Sequence, residues 1–286
     1  MNPCTIQLKK FPIHTMDLNA KIAVVGKPGT GKSSMIEHLL YTHKYIPKGI
    51  SMVGTMDGVD DMKRFMPDTY VYEGYNKTAV EQLLECQKKI RKKLMKKGYE
   101  KHEIQKDPSW ASFLVIDDCM EDTKWIKDKI TKDIFKNGRH YNMFFILAMQ
   151  YCMSLTTDLR SCLDYVFIFK ENLQSNRKRL YEHYCGIFPN FDMFERVLMA
   201  CTENYECMVI DNRSISNNIA DVVYWYKAEL HEDEKWRLGN NDYWKYHTSK
   251  YDKHYDDSDD DVQSNVYDTG MKKTKNQKIR IEKYGY

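Results

Sequence analysis

The clearest chemistry in the chain lies in a glycine-rich segment. Its pattern, GxxxxGK[ST], stands between an apolar run at 21–25 and a helix-like stretch at 32–42. Glycines let backbone N–H groups converge on a phosphate, and the following helix adds its dipole and free donors. Lys32 is expected to reach the β- and γ-phosphates, and the Ser33 hydroxyl to ligate Mg²⁺. The predicted nucleoside triphosphate site comprises Gly26, Lys27, Pro28, Gly29, Thr30, Gly31, Lys32, Ser33 and Ser34.

Two adjacent carboxylates follow the apolar run 113–116. They are predicted at the carboxyl end of a buried strand, where α/β sheets hold their ligands. Asp117 is expected to hold Mg²⁺, through water or on the Ser33 side. Asp118, on the other side of the strand end, is expected to polarise an attacking water. The alternative for Asp118 is a cap on the next helix, since aspartate is favoured there.

Two further polar residues flank the apolar run 143–149. Gln150 closes the run, and next to the metal strand it can orient water or sense the γ-phosphate. Arg139 precedes the run and is expected on the rim of the domain, away from its own glycine-rich loop. There it can reach a neighbouring subunit's ATP. The alternatives are a surface-facing strand end for Gln150 and a cation that complements a helix C-terminus for Arg139.

Short apolar runs alternate with longer helix-like stretches between residues 21 and 230. Continuous runs of branched and aromatic residues are typical of strands buried on both faces of a mostly parallel sheet. The pattern predicts an α/β, three-layer P-loop NTPase domain of the RecA/ASCE-like type over 21–230. The run 50–54 and a long helical stretch are inserted between the loop and Asp117, which leaves room for an extra strand between the strand of the loop and that of Asp117. Predicted strands are 21–25, 50–54, 69–72, 112–117, 143–149, 165–169, 207–211 and 222–226, and predicted helices are 32–42, 77–97, 123–137, 173–185 and 191–201.

Both ends of the chain differ in character from this domain. Residues 1–20 are expected to form an N-terminal arm. Residues 231–286 are polar and without periodicity, with an acidic run at 256–261 and a basic end. We therefore expect 231–286 to be a flexible tail when alone. The sequence contains neither an apolar run long enough to span a membrane nor the pattern of a secretion signal.

Charge excludes one class of nucleic-acid-binding protein. The 286 residues contain 44 Lys+Arg and 41 Asp+Glu, a net charge of +3. Binding of nucleic acid by bulk charge alone is therefore excluded, and any DNA contact must come from a local basic patch. The strongest patch has eight basic residues between 88 and 101. They fall all round a predicted helix, which is compatible with phosphate contacts in a pore and equally with a solvated helix.

Other classes of P-loop protein are judged by what the sequence lacks. A GTPase needs DxxG at the metal strand and NKxD for the guanine, and neither pattern is present. A small-molecule kinase remains an alternative, because Arg177, Lys178 and Arg179 can serve as a basic lid. A second alternative is an assembly protein that binds ATP with little turnover and recruits capsid or membrane partners. Asp118, Gln150 and Arg139 favour hydrolysis, because a nucleotide gate needs none of them.

Several segments together resemble one family. They are GKPGTGKSS, FLVIDDC, GRHYNMFFILAMQ, DYVFIFKENLQSNRKRLYEHYCGIFPNFDMF and ENYECMVIDN…VYWYKA. They are similar to the poxvirus-type DNA-packaging ATPases of nucleocytoplasmic large DNA viruses, within the FtsK–HerA superfamily. The resemblance runs from about residue 21 to residue 228.

The resemblance implies an ATP hydrolase that translocates double-stranded viral DNA into a preformed capsid. It further implies a homo-oligomeric ring, contacts with capsid or inner-membrane proteins of the virion, and a place at the viral assembly site in the host cytoplasm or in the virion. Lys32 and Ser33 would belong to Walker A, Asp117 and Asp118 to Walker B, with Gln150 as sensor and Arg139 as trans arginine finger. Cellular members commonly have Glu at the second Walker B position, where this chain has the shorter Asp118.

Overall fold

A nine-stranded sheet organises the computed structural model, which describes residues 6–119, 123–151, 154–231 and 235–250. The strands are β1 (Lys9–Lys10), β2 (Lys21–Val25), β3 (Lys48–Val53), β4 (Val71–Glu73), β5 (Ser112–Asp117), β6 (Met143–Met149), β7 (Tyr165–Ile168), β8 (Glu206–Asp211) and β9 (Val223–Lys227). Their order across the sheet is β1-β9-β8-β7-β2-β6-β5-β3-β4. β8 is antiparallel to both of its neighbours, and every other pairing is parallel. A mostly parallel sheet is therefore confirmed.

Helices cover both faces of the sheet. They are α1 (Lys32–Thr42), α2 (Met56–Lys63), α3 (Lys77–Lys96), α4 (Lys101–Lys106), α5 (Lys129–Asn137), α6 (Thr157–Arg160), α7 (Gln174–Tyr184), α8 (Phe191–Cys201) and α9 (Asn241–Lys250). Buried side chains of α3, α5, α7 and α8 pack on one face. Those of α1 and α2 pack on the other. The result is the predicted three-layer α/β fold.

The alternation of β2 shows why its sequence is continuously apolar. Ala23 and Val25 belong to the core on one face, and Ile22 and Val24 to the core on the other. Successive side chains of a strand point to opposite faces, so a strand covered on both sides has no position for a polar residue. The same reasoning predicted β5 and β6 with their observed bounds.

The order of the strands corrects one detail. The strand that lies between β2 and β5 is β6, which carries Gln150 at its end. The run 50–54, which precedes Asp117 in sequence, forms β3 on the far side of β5. Parallel neighbours place the ends of β2, β5 and β6 at one edge of the sheet, called the carboxyl edge below. The opposite edge, where these three strands begin, is called the amino edge.

The folded unit is wider than the expected span of 21–230. The described elements belong to one compact unit that ends at Thr248. In the expected N-terminal arm, Phe11 and Ile13 are buried and β1 pairs with β9. In the expected tail, Trp236, Leu238 and Tyr243 are buried in the core that contains α1. Burial against the sheet is favourable for these apolar side chains, but the polar residues near them in the sequence hide any apolar pattern that would predict it.

The rest of the expected tail, 251–286 with its acidic run and basic end, lies outside the described residues. Among the described helices, none is both long enough and apolar enough to cross a membrane.

Candidate active site

The glycine-rich loop joins the end of β2 to the start of α1. Gly31, the residue before α1, has a φ of +103°, in the left-handed region that favours glycine. Gly26 lies so close to Phe169 that a Cβ there would come within 2.7 Å of the Phe169 Cβ. Gly26 N–H donates to the Met149 carbonyl at 3.1 Å, which ties the loop to the end of β6. These contacts fix the path of the loop and leave the first N–H groups of α1 without a helical acceptor, as an anion site requires.

Lys32 lies in the first turn of α1, and its side chain is only 6% exposed. Its ammonium lies 3.3 Å from Asp118 Oδ2. Gln150 Nε2 donates to the same carboxylate oxygen at 2.9 Å. The structure therefore brings together three of the four predicted catalytic side chains, from α1, the end of β5 and the end of β6.

The backbone of Asp118 is held in an unusual conformation. Its φ is +51°, in a region that Asp tolerates better than most residues other than glycine. Its N–H donates to the Ala148 carbonyl of β6 at 3.4 Å. Asp118 follows β5 directly and does not cap a described helix. The turned backbone directs its carboxylate towards Lys32 and Gln150.

Asp117, the last residue of β5, is 8% exposed. Its Oδ1 is buried and has no hydrogen-bond partner among the described residues. Burial, and then the charge of Asp118, raises the pKa of Asp117 to about 6, against the opposing effect of Lys32. A buried carboxylate oxygen without a donor is costly unless a cation or water satisfies it. Asp117 thus fits a position beside a bound metal ion.

The loop is braced on its other side by a residue that sequence reasoning missed. Glu171, two residues after Phe169, pairs with Lys27 at 2.7 Å, and its side chain is 9% exposed. Burial alone would raise the pKa of Glu171, but the Lys27 pair and hydrogen bonds from Leu173 N–H and Asn176 lower it overall. A sequence signal existed, because Glu171 follows an apolar strand just as Gln150 does.

A cleft of about 710 Å³ lies over the loop, within the range of ligand pockets. Most of the predicted loop residues line it, together with Asp118 and Gln150. Thr55, at the start of α2, and four residues from the far side of the sheet also line it; these are Tyr205, Lys227, Ala228 and Leu230. Sequence reasoning identified none of these five.

Arg139 lies away from this cleft. It precedes β6 and therefore lies at the amino edge, roughly 20 Å from the end of that seven-residue strand at about 3.3 Å per residue. Its guanidinium pairs with the carboxylate of Asp164, which also accepts from Lys21 N–H at 2.9 Å. Asp164 is buried, while the Arg139 side chain is 46% exposed. The structure thus leaves Arg139 on the rim, distant from its own loop.

A cluster of cations surrounds that part of the rim. Gln87 of α3 donates to the carbonyls of Trp110 and Tyr141, both at 2.9 Å, and so places the end of α3 at the amino edge. Burial lowers the pKa of His140, and the nearby cations Arg91, Arg139 and Lys101 lower it further. We call this surface the basic edge; it comprises Lys89, Arg91, Lys92, Lys93, Lys96, Lys97 and Lys101.

Comparison with known proteins agrees with this fold. The family model described as the poxvirus A32 protein matches residues 10–227. An uncharacterized protein of Acanthamoeba polyphaga mimivirus is 34% identical over 256 residues, which cover 89% of this chain and 88% of that one. Among solved structures, the pCW3 conjugation coupling protein TcpA with ATPγS aligns with a TM-score of 0.54 and 14% identity over 81% of this chain and 66% of its own.

A lower TM-score, 0.48, is obtained for the genome packaging NTPase B204 from Sulfolobus turreted icosahedral virus 2, at 16% identity over 75% of this chain and all of that one. The structural likeness to TcpA concerns the fold. Membership follows from the family model, which covers well over half of the chain, and from the mimivirus relative. The chain belongs to the poxvirus A32 protein family.

Proposed function

We propose that this protein is an ATP-hydrolysing motor that packages double-stranded viral DNA into the capsid. The observation that carries the proposal is the convergence of Lys32, Asp118 and Gln150 beside the glycine-rich loop, in a chain of this family. Packaging itself rests on the resemblance to the viral packaging ATPases. Hydrolysis rests on the site.

Phosphate binding is the first role of the loop. The backbone N–H groups in the first turn of α1, with those of the loop that donate to no carbonyl, lie at the carboxyl edge, where they can surround the β- and γ-phosphates. Lys32 adds a positive charge in a partly buried position, where charge interactions are stronger than in water. A phosphate oxygen and Asp118 would then share the Lys32 ammonium as hydrogen-bond donor.

Asp117, the other carboxylate at the end of β5, is the proposed ligand of a divalent cation. The unpaired Asp117 Oδ1 and the Ser33 hydroxyl supply hard oxygen ligands of the kind that Mg²⁺ prefers, directly or through water. Mg²⁺, when bound with the nucleotide, would neutralise charge that develops on the phosphates. In this proposal Asp117 and Ser33 hold the ion, and Asp118 stays free for water.

Hydrolysis requires a water aligned with the bond between the γ-phosphorus and the β–γ bridging oxygen. That bond breaks as the water oxygen bonds to phosphorus, which yields ADP and phosphate. The Asp118 carboxylate is proposed to orient the water and take its proton, and Gln150 to hold the Asp118 oxygen in place at 2.9 Å. Lys32 donates to the same carboxylate oxygen and so also fixes its position.

The basic edge is the proposed contact with DNA. Its six lysines are exposed, whereas the neighbouring Lys88 is paired with Asp133 at 2.9 Å. Exposed cations contact phosphates regardless of base sequence, as a packaging motor needs. The geometry of the helix end favours this over a purely solvated helix, because Arg91, Lys101 and Arg139 gather around His140.

Assembly into a ring is proposed from the position of Arg139. Asp164 holds its guanidinium at the rim while nearly half of the side chain remains exposed. A neighbouring subunit can approach an arginine held in this way, and a trans arginine stabilises charge in the phosphoryl-transfer transition state. Capsid or inner-membrane proteins of the virion are the proposed docking partners, and the host cytoplasm and the virion the proposed locations.

The kinase alternative is disfavoured by the contacts of its basic cluster. Arg177 pairs with Glu195 at 2.8 Å and donates to the carbonyls of Glu171 and Asn172. Arg179 donates to the hydroxyl of Tyr151. These guanidinium groups stabilise the start of α7, which a mobile lid would have to release.

The proposal is tested by steady-state ATP hydrolysis with and without long double-stranded DNA, with Asp118→Asn alongside. We expect turnover that DNA stimulates and that the variant loses, because the amide cannot take a proton. Slow turnover indifferent to DNA would support the nucleotide-gated assembly protein. Phosphate transfer to an acceptor other than water would support the kinase.

A further inference from the structure

The cleft over the glycine-rich loop has a second wall, which phosphate binding does not use. Tyr205, Lys227 and Leu230 form it, together with Ala228. Tyr205 and Leu230 are 69% and 67% exposed, so this wall presents apolar surface to an open space. Exposed large apolar side chains inside a concave site are typical of ligand contacts.

The reversed direction of β8 brings this wall to the carboxyl edge. β8 is antiparallel to β7, so its first residue, Glu206, lies where β7 ends. β9 reverses again, and its last residue, Lys227, is the register partner of Glu206. β8 is two strands from β2, or roughly 10 Å at about 4.8 Å per strand. The wall therefore lies to one side of the loop, within the reach of a nucleoside whose phosphates the loop holds.

Tyr205 is held in a conformation that tyrosine rarely adopts. Its φ is +63°, and that of the preceding Asn204 is +50°. Positive φ is a true outlier for a bulky residue, and such strain is concentrated at ligand contacts. The turn is closed by Glu206 N–H, which donates to the Glu203 carbonyl at 2.9 Å.

The Tyr205 side chain lies directly against the loop. A Cβ built on Gly31 would be 3.7 Å from the Tyr205 Cβ and 3.8 Å from its Cδ1. The ring thus begins beside Gly31, the residue before α1, and Tyr205 remains mostly exposed. A ring packed for stability alone would be buried, as is the ring of Phe169, which also lies beside Gly31.

We infer that Tyr205 is the stacking platform for the base of the bound nucleotide, with Leu230 as apolar contact beside it. This inference rests on the proposed function, since it assigns the base to the site whose phosphates the loop holds. Stacking on an aromatic ring tolerates every base, because each base has a π-face. The contact therefore contributes to nucleotide affinity and does not select adenine over guanine.

The test is calorimetric binding of ATP, GTP and inorganic tripolyphosphate, each with Mg²⁺, to the full chain. Tyr205→Asn removes the ring and keeps a residue that tolerates positive φ. We expect it to weaken ATP and GTP binding by the same factor, about tenfold, and to leave tripolyphosphate unchanged. Tyr205→Phe should bind all three as the wild type does.

A matched control is Tyr99→Asn, which removes a 51% exposed tyrosine from outside the cleft and should change nothing. Equal ATP affinity in Tyr205→Asn and wild type would overturn the inference. A loss shared by ATP and tripolyphosphate would overturn it as well, because Tyr205 would then shape the loop and not hold the base. If the wild type bound neither ATP nor tripolyphosphate, the proposed function would fail, and the inference with it.

Discussion

The two edges of the sheet carry charge in opposite ways. At the carboxyl edge a few groups converge and are largely buried, with Lys32 and Asp117 each under a tenth exposed. At the amino edge the cations of the basic edge are many and exposed, and the buried carboxylate of Asp164 is matched by Arg139 and Lys21 N–H. The first arrangement suits chemistry on one small ligand. The second suits contact with an extended polyanion.

Because of this difference, single substitutions should have large effects at the carboxyl edge and small effects at the amino edge. A buried site depends on each of its few side chains, because water cannot take over the interactions of a charge that is removed. An exposed surface shares its function over many residues and is screened by salt.

Lys32→Ala should lower the rate of ATP hydrolysis by 10² to 10³, roughly the cost of removing one preorganised donor from a transition state. Steady-state phosphate release measures it. Lys27→Ala is the matched control in the same loop. Its cation is already paired with Glu171 at 2.7 Å, so a much smaller loss is expected. Equal losses in the two variants would remove the special role of Lys32.

Buried His38, between the two edges of the sheet, should make the stability of the domain depend on pH. It lies on α1, 2% exposed, between His231 and the Tyr226 hydroxyl at 2.9 and 2.7 Å. Burial, and then the nearby His231, lowers the pKa of His38 to about 4. The unfolded chain takes up this proton near pH 6.5. The contribution of neutral His38 to the free energy of unfolding is therefore fully present above pH 6.5. It falls by about 3 kcal/mol as the pH drops to 4.

Denaturant unfolding at several pH values measures this slope. His38→Gln should flatten it, while His102→Gln, which changes an exposed histidine, should not. Because α1 begins at the phosphate site, acid should also weaken nucleotide binding. A slope unchanged in His38→Gln would exclude His38 as its source.

Substitutions of Arg139 and Asp164 distinguish a structural role of their ion pair from a role of Arg139 in a neighbouring subunit's site. Asp164→Ala removes the acceptor of the buried Lys21 N–H and the negative charge that attracts the Lys21 ammonium, which keeps only the Phe135 carbonyl at 3.0 Å. It should lower the free energy of unfolding by about 3 kcal/mol. Arg139 is half exposed, so Arg139→Ala should cost about 1 kcal/mol. Thermal unfolding measures both.

The trans role adds a second expectation for Arg139→Ala. The variant should be folded yet inactive, and mixtures with wild type should lose more activity than the fraction of variant subunits. Activity that simply follows the fraction of wild-type subunits would contradict a trans arginine and leave Arg139 with its structural pair alone.

The basic edge should respond most weakly to single changes. Lys92→Gln with Lys96→Gln removes two exposed charges from one face of α3, and should reduce the slope of log DNA affinity against log salt by about 2. Filter or anisotropy titrations at several salt concentrations measure it. Lys129→Gln with Lys132→Gln, two exposed lysines of α5 outside this surface, should leave the slope unchanged. Equal slopes in all three proteins would move DNA contact elsewhere.

The sequence was informative where local pattern determines structure. Continuous apolar runs predicted β2, β5 and β6, because burial on both faces leaves no room for polar residues. The loop and Asp118 were predicted because motif and strand end coincide. Their mutual contact was expected from parallel strands ending at one edge.

Features that depend on distant partners were not predictable. β1 consists of two exposed lysines and becomes a strand only because β9 pairs with it. The sequence of α9 is polar and was assigned to the tail, yet Tyr243 is buried and its hydroxyl donates to the Gly49 carbonyl at 2.9 Å. Tyr205 enters the cleft through a left-handed turn and the reversal of β8, which no periodicity in the sequence indicates.

The most direct test of the proposed motor function is translocation itself, measured as ATP-dependent displacement of a triplex-forming strand from linear double-stranded DNA. Displacement by the wild type should require ATP hydrolysis and should be absent in Lys32→Ala. The Lys92→Gln, Lys96→Gln protein should show reduced displacement with normal basal hydrolysis. DNA-stimulated ATP turnover without any displacement would contradict a motor in which the carboxyl edge drives DNA bound at the amino edge.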